Sequence, residues 1–308
     1  MDFLNQASTV LQMGFIYAIV ALGVYITYKI LDFPDLSVDG TFRSAGWCCR
    51  PRHERLSLVS AMPVSFFRAV RRICDGHSDV KLKINNLLSG IITMTALLSV
   101  NYLIAGGPSV SFSQTETLLS GGFLSSIPRT ARNYVQAGFI LLFVVLCKVL
   151  LDLFLKTKSG FLLRATGDNP QLVTQMGKNT DNYKMLGLML ANGLVALAGS
   201  IYCQYGSVYN SDMGTGTVVI ALACVIIGCV VAKHIRFLSD TAGVAVGSVL
   251  YYAVLTAALF LCGSEYTKLI VAILFVLVLL FDSGLAGRTL KKIFRKRRKG
   301  DVGTAIDP

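Results

Sequence analysis

Three long stretches of this chain carry no charged residue: 185–211, 213–232 and 241–264. A run of about 18 or more apolar residues is long enough to cross a bilayer as a helix, a length that a soluble core does not require. The composition agrees, because 54% of the 308 residues are hydrophobic and only 15% are charged, against about 25% in soluble domains. The pattern predicts an integral membrane protein.

The apolar runs predict an all-α fold, a polytopic transmembrane helix bundle that occupies 1–308 as a single domain. The third predicted span carries Lys148 and Asp152, whose four-residue spacing places them on one helix face, where they can pair. The first is interpreted as a retained span, because neither a basic segment nor a small-residue cleavage site marks it as a cleaved signal. The seven predicted spans are 9–30, 87–105, 134–155, 185–205, 215–233, 241–262 and 267–286.

The basic residues predict the orientation of the bundle. The segments 43–86, 156–184, 233–236 and 287–300 together hold 24 Lys and Arg, and the opposite side holds only Arg129 and Arg132. Cytoplasmic loops carry the excess of basic residues in membrane proteins. We therefore expect the basic tail 287–308 in the cytoplasm and the N-terminus outside. This distribution also accounts for the net charge of +12, so nucleic-acid binding is not expected.

Segment 43–80 departs from the rest of the chain. It contains 7 of the 15 arginines and the only tryptophan. Four arginines and Glu54 lie within 43–55, and each arginine at the centre of a span costs roughly 2.5–3.5 kcal/mol on insertion scales. The start of this segment therefore cannot span a membrane.

Three hypotheses account for segment 43–80. It is a basic cytoplasmic loop that contacts lipid, or a metal or redox insert, or a translated frameshift that replaced two ordinary spans. The abrupt changes in composition after Phe42 and near Val80 favour the frameshift, and two more spans would make about nine. The spacing of the potential ligands matches no known zinc pattern. Those ligands are Cys48, Cys49, His53, Cys74 and His77.

The loop 156–184 contains a helix-start signal. Gly167 and Asp168 are typical of a turn. Asn169 is a good N-cap and Pro170 suits the first helical position. A short helix is therefore predicted over 170–176, ended by Gly177. Such a capped helix suits either a contact that passes force to a soluble motor or an ordinary interfacial connector.

Polar residues within the predicted spans are candidates for a translocation path, because burying them in lipid is costly. Hydrogen bonding between helices is the alternative role. The candidates are Thr93, Asn101, Asn192 and Gln204. Asp35 and Asp39, in DFPDLSVDG after the first span, orient a broken second helix or serve as turn residues.

Two other functional classes find less support in the residues. An intramembrane enzyme needs a convergent catalytic set, and none of the three histidines lies within a predicted span. An ion-coupled secondary transporter usually needs ionisable groups inside the membrane, and only Lys148 and Asp152 qualify. The sequence contains no GxxxxGK[ST] phosphate loop, so we do not expect it to hydrolyse ATP by itself.

The order of motifs resembles ABC transporter permeases of the branched-chain amino-acid and ribose importer superfamily, in particular the subgroup of uncharacterised or aromatic-amino-acid-type permeases. The loop KTKSGFLLRATGDNPQLVTQMGKNTDNYK at 156–184 and the stretch LGLMLANGLVALAGSIYCQYGSVYNSDMG at 186–214 carry the resemblance most clearly. In such permeases apolar helices follow the VDGTF-like segment, where this chain has 43–80. The other similar stretches are 14–42, 81–107, 214–228 and 250–280.

The resemblance implies a membrane-spanning subunit of an ATP-driven importer for a small solute such as an amino acid. It implies three partners: a second permease copy, a cytoplasmic ABC ATPase and an extracellular solute-binding lipoprotein. ATP and Mg²⁺ would bind the ATPase, so no cofactor is expected in this chain. By position, the ATPase-coupling residues would be Arg164, Gly167, Asp168, Asn169 and Pro170.

Overall fold

The computed structural model describes residues 2–32, 35–44, 86–111, 129–235 and 238–282. These residues are mostly helical. The helices are α1 (Asp2–Tyr25), α2 (Val38–Arg43), α3 (Asn86–Ala105), α4 (Arg129–Leu155), α5 (Lys158–Asp168), α6 (Pro170–Gln175), α7 (Thr180–Gly206), α8 (Thr217–His234), α9 (Asp240–Cys262) and α10 (Thr267–Asp282). A π-helical turn (Ile26–Ile30) continues α1, and two short strands are β1 (Ser109–Ser111) and β2 (Val208–Asn210).

All seven segments predicted to span the membrane are helical within the described residues. Five helices there are long and apolar enough to cross a bilayer, and two shorter apolar helices lie at Gly90–Leu103 and Thr267–Leu280. The five are Gln6–Ile30, Arg132–Leu155, Thr180–Gly206, Thr217–His234 and Asp240–Cys262. The predicted fold class is therefore confirmed.

The chain divides into two compact units, and the first comprises Met1–Val254. Its centre is α1, which packs against α4, α7 and α8. The middle of α1 is almost inaccessible, with Ile16 and Leu22 fully buried. Beyond the π-helical turn, Asp32 has a φ of 56°, in the left-handed region. The short helix α2 then enters the bundle, and all six of its residues are buried.

Strands β1 and β2 form an antiparallel pair beyond the C-terminal end of α7. Val110 pairs with Tyr209, and Tyr209 is fully buried beside Cys203 and Met213. Ser207 ends α7 in the left-handed conformation. Because α7 has 27 residues, at about 1.5 Å per residue this pair lies about 40 Å from the start of α7.

Glycines allow α8 and the first part of α9 to pack closely. A Cβ at Gly247 would lie 2.6 Å from the Cα of Gly228 and 2.7 Å from the carbonyl oxygen of Cys224. A Cβ at Gly228 would collide with the backbone of Val244. Small residues at helix contacts are typical of membrane bundles, where close backbone approach provides much of the packing energy.

The second unit comprises Leu255–Pro308 and is described through Asp282. It contains the last residues of α9, a 3₁₀ turn at Ser264–Tyr266 and helix α10. Gly263, with a φ of 90°, ends α9.

Several predictions fall outside the described residues. Of segment 43–80, only Arg43 and Ser44 are described, and the candidate cysteine and histidine ligands are not. The tail 287–308 also lies outside. The loop 156–184 is described throughout.

Candidate coupling element and translocation path

The loop 156–184 folds into two consecutive helices, α5 and α6. Asn169 separates them in an extended conformation, and its side chain accepts hydrogen bonds from the backbone NH groups of Gln171 and Leu172 at 3.1 and 3.3 Å. Pro170 occupies the first turn of α6, and Gly177 follows the helix with a φ of 72°. The predicted cap and short helix are confirmed, with the last helical residue at Gln175.

The predicted turn at Gly167 and Asp168 is wrong. Both residues continue α5, because Asn169 alone interrupts the helix. Gly167 lies against the π-helical turn, and a Cβ there would collide with the carbonyl oxygen of Ile30. The glycine is required for close approach between two helices rather than for a turn.

The coupling element, defined as α5 and α6 together, is anchored to the bundle by buried apolar residues. Leu163 of α5 and Val173 of α6 are fully buried. On α7, a Cβ at Gly187 would meet the side chains of Leu31 and Leu163. The element therefore contacts both the end of the first span and the start of α7. A displacement of the element is transmitted to both helices through these contacts.

The opposite surface of the coupling element is open. Arg164, Asp168, Asn169 and Pro170 are exposed, whereas Gly167 is half-buried. Four of the five residues predicted to couple the ATPase therefore lie on the surface, and the fifth, Gly167, packs against the rest of the protein.

Three large apolar side chains on the coupling element or directly after it are also exposed. Phe161, Leu172 and Met176 expose 66%, 48% and 57% of their surface. An open groove of about 370 Å³ lies beside Phe161 and Met176. It is lined by Lys156, Thr157, Lys158, Phe161, Leu162 and Met176. Sequence reasoning did not single out these apolar residues, although each lies near an exposed polar one.

A buried hydrogen-bond network joins the segment after the first span to α7. Asn192 donates from Nδ2 to Oδ2 of Asp35 at 2.8 Å, and its Oδ1 accepts from the hydroxyl of Thr41 at 2.8 Å. Asp35 also accepts from the backbone NH of Ser37 at 2.8 Å. Every polar group named here is paired, as buried polar groups in apolar surroundings must be.

Asp39 provides a second long-range connection. Its two carboxylate oxygens accept from the backbone NH groups of Val218 and Gly216 at 2.9 and 3.0 Å. The start of α8 lacks a side-chain cap of its own, since Gly216 precedes it. The carboxylate therefore satisfies NH groups at a helix end that lies 177 residues away in sequence.

Asp35 and Asp39 thus fulfil both of the roles left open for them. Asp35 shapes a turn through its bond to Ser37, and Asp39 orients the short helix α2 against α8. The motif alone could not decide between these roles, because they depend on which groups donate hydrogen bonds to each carboxylate, and the fold sets those donors.

Arg43, at the end of α2, is an unusual buried charge. It is 2% exposed, and its Nη2 donates to the hydroxyl of Thr215 at 2.8 Å. Within the described residues, its Nε and Nη1 have no hydrogen-bond partner.

The other path candidates take varied positions. Asn101 of α3 donates to the carbonyl of Gly40 at 3.1 Å. Asn101 and Asn192 therefore bind α2 from two different helices, α3 and α7. Gln204 is buried, and its Nε2 lacks a partner among the described residues. Thr93 is half-buried on α3. The structure joins the two asparagines through α2.

The predicted pairing of Lys148 and Asp152 is confirmed, with 2.7 Å between Nζ and Oδ2. Asp152 also accepts a 2.7 Å hydrogen bond from the hydroxyl of Thr241 on α9. The pair is about three-quarters buried and is neutral as a unit. It connects α4 to α9.

A family model described as the permease component of branched-chain amino acid transport systems matches residues 6–279. The chain belongs to this permease family. Such a permease is the membrane-spanning, multi-pass subunit of an ATP-driven importer, working with an ATPase and a binding protein, and ATP hydrolysis takes place on the partner. This membership decides against an enzyme and against a secondary transporter.

Two similar proteins are named as permeases of import or transport systems, and a third is uncharacterised. This permease is 37% identical to the tyrosine transport system permease protein of Clostridioides difficile, over 92% of this chain and 93% of that protein. It is 32% identical to an uncharacterised protein of Rickettsia prowazekii, over 73% and 77% of the two chains. A shorter match, 32% over 28% of this permease and 25% of the relative, is to the autoinducer 2 import system permease protein LsrC of Salmonella paratyphi B.

Proposed function

We propose that this permease imports an amino acid and receives the force for transport through the coupling element. The observation that carries the proposal is the two-sided construction of that element. One side is locked to the spans through Gly167, Leu163 and Val173, and the other is exposed, capped and partly apolar.

The exposed side has the character of a protein-binding surface. Interfaces combine apolar anchors with a polar rim. Phe161, Leu172 and Met176 provide apolar surface, and the groove beside Phe161 and Met176 offers room for a side chain of the partner. Arg164 and Asp168 supply charges of both signs on α5. The partner is a cytoplasmic ABC ATPase that binds ATP and Mg²⁺, and this chain holds no cofactor.

The orientation follows from the charge distribution. The segments 156–184, 233–236 and 287–300 hold 15 Lys and Arg, which supports a cytoplasmic position for the coupling element in a cell-membrane protein, with the N-terminus outside. The β1–β2 pair at the far end of α7 then faces the extracellular lipoprotein. In a variant that lacks the native cysteines, a cysteine introduced at Gln171 should react with an impermeant maleimide only after the cells are opened, and labelling of intact cells would contradict this orientation.

Two further contacts complete the proposed assembly. A second permease copy, giving a homodimer, and membrane lipid share the apolar outer surface, where Leu142 and Leu150 of α4 are more than half exposed. The solute is an amino acid, and the tyrosine transport relative makes tyrosine the first one to test.

The docking surface can be tested by co-purification with the ATPase. Leu172→Asp places a charge among the apolar anchors, where an unpaired charge is costly on burial, so we expect at least a tenfold loss of bound ATPase. Thr174→Asp is the matched control, because Thr174 is exposed on the opposite face of the same helix. Equal retention of the ATPase by both variants would show that the motor docks elsewhere.

A further inference from the structure

Four aromatic rings meet in the interior of the first unit. We define the aromatic cluster as Tyr17 of α1, Phe42 of α2, Tyr202 of α7 and Tyr252 of α9. Tyr17 contacts the other three, with ring centroids 4.8 Å from Tyr252, 6.0 Å from Phe42 and 6.5 Å from Tyr202. Phe42 and Tyr202 are 5.5 Å apart. These separations are those of favourable tilted and edge-to-face ring pairs.

The cluster lies deep within the bundle rather than at its ends. Phe42 is fully buried, and Tyr17 and Tyr252 are 6% and 9% exposed. Tyr17 lies near the middle of the span Gln6–Ile30, about 17–20 Å from either end at about 1.5 Å per residue. Tyrosines that anchor a membrane protein lie instead in belts at the two interfaces, so anchoring does not account for this group.

Buried polar atoms with unmet hydrogen-bonding capacity accompany the rings. The ring of Tyr251 lies 5.9 Å from that of Tyr252, and its hydroxyl is buried without a hydrogen-bond partner in the described part of the chain. The hydroxyl of Thr217, at the start of α8 where Asp39 binds, is also buried without a hydrogen-bond partner among the described residues. Unpaired buried polar atoms call for water or a ligand. Rings with such groups nearby suit a solute that has an aromatic side chain and a polar head.

We propose that the aromatic cluster is the selectivity element of the translocation path, at which the ring of an aromatic amino acid is recognised. The inference rests on amino-acid import as the proposed function. Each element that contributes a ring belongs to a different part of the chain, so the rings separate when the helices move apart. A solute ring between them then replaces the lost contacts, whereas a saturated side chain of equal size cannot.

The ring contacts predict how strongly the protein distinguishes two solutes of the same shape. Phenylalanine and cyclohexylalanine share size and polar head, but only phenylalanine has a π-system. Phenylalanine can form one or two aromatic pairs with the cluster that cyclohexylalanine cannot form. We therefore expect the purified full-length permease to bind phenylalanine about tenfold more tightly than cyclohexylalanine. Calorimetric titration of the wild-type chain measures both dissociation constants. Equal constants, or no binding of phenylalanine, would overturn the proposal without touching ATPase docking.

Variants locate the recognition at the cluster. Tyr202 is half-buried, so Tyr202→Leu should fold and bind phenylalanine about tenfold more weakly, while its affinity for cyclohexylalanine stays unchanged. Tyr202→Phe keeps a ring and should retain the preference. Phe143→Leu is the matched control, since Phe143 is half-buried on α4 and pairs only with Phe139, at 5.5 Å, among the ring contacts described. A preference that survives Tyr202→Leu, or is lost in Phe143→Leu, would overturn the assignment; if Tyr202→Leu does not fold, Tyr202→Met applies the same test.

Discussion

At the scale of single residues, Asn192 connects more of the bundle than any other path candidate. Its amide binds Asp35 and Thr41, which lie before and within α2. Removing the amide takes one buried hydrogen bond from each partner, so Asp35 keeps only the bond from the backbone NH of Ser37 and Thr41 only the bond to the Ser37 carbonyl. We expect Asn192→Ala to lower the free energy of unfolding by roughly 1–3 kcal/mol, measured by denaturant titration in micelles.

The control for Asn192 is a hydroxyl that only bonds its own helix. Thr95 is exposed and donates to the carbonyls of Ile91 and Ile92. Thr95→Ala should therefore be nearly neutral. Equal losses in the two variants would mean that the buried network contributes no specific stability.

Gly167 is a second residue whose role depends on a single contact. Gly167→Ala places a methyl group against the carbonyl of Ile30, so α5 must move away from the π-helical turn. We expect a loss of roughly 1–3 kcal/mol in stability and weaker coupling, observed as reduced transport per ATP hydrolysed in proteoliposomes.

A glycine in open space separates this contact from helix propensity. Gly138 lies within α4, and among the described residues no atom apart from those of its chain neighbours and its own helix backbone lies within 4 Å of the position that a methyl group on its Cα would occupy. Gly138→Ala should be neutral or stabilise by up to about 1 kcal/mol. If Gly167→Ala is also neutral or stabilising, the contact with Ile30 contributes neither to stability nor to coupling.

At the scale of secondary-structure elements, the glycine contact between α8 and α9 sets how closely two spans approach. A side chain at Gly247 would meet the backbone of Gly228 and Cys224. Gly247→Leu should separate the helices and lower stability by roughly 1–3 kcal/mol, seen as a lower thermal midpoint. Gly138→Leu, on an open helix surface, should leave the midpoint nearly unchanged. Tolerance of Gly247→Leu would contradict close packing at this position.

Short elements show what local sequence does and does not determine. Helix α6 was predictable because Asn169, Pro170 and Gly177 act on neighbouring backbone groups. The continuation of α5 through Gly167 and Asp168 was not, since the packing of Gly167 against Ile30 overrides the turn preference of the dipeptide.

At the scale of the whole molecule, α3 is short of partners in the described part of the chain. It packs chiefly against α2. Leu88, Ile92 and Leu103 are more than half exposed. The hypothesis that 43–80 replaces two apolar spans stays a prediction, because only Arg43 and Ser44 of that segment are described.

Resequencing the gene across codons 40–82 tests that hypothesis. We expect single-base corrections to restore an apolar, charge-poor reading frame, giving about nine spans, because arginine within a span costs roughly 2.5–3.5 kcal/mol. If the present reading is reproduced, the arginine-rich segment is genuine and the frameshift hypothesis is wrong.

The sequence by itself determined the membrane class, the positions of the spans and the cap of α6, because apolarity and capping act over neighbouring residues. Only the tertiary structure decided that Asp39 binds the start of α8, that Gly167 packs on the first span, and that four rings meet at Tyr17. These contacts join residues far apart in the chain. Their partners are set by how the helices pack, and the pattern around any one residue does not reveal them.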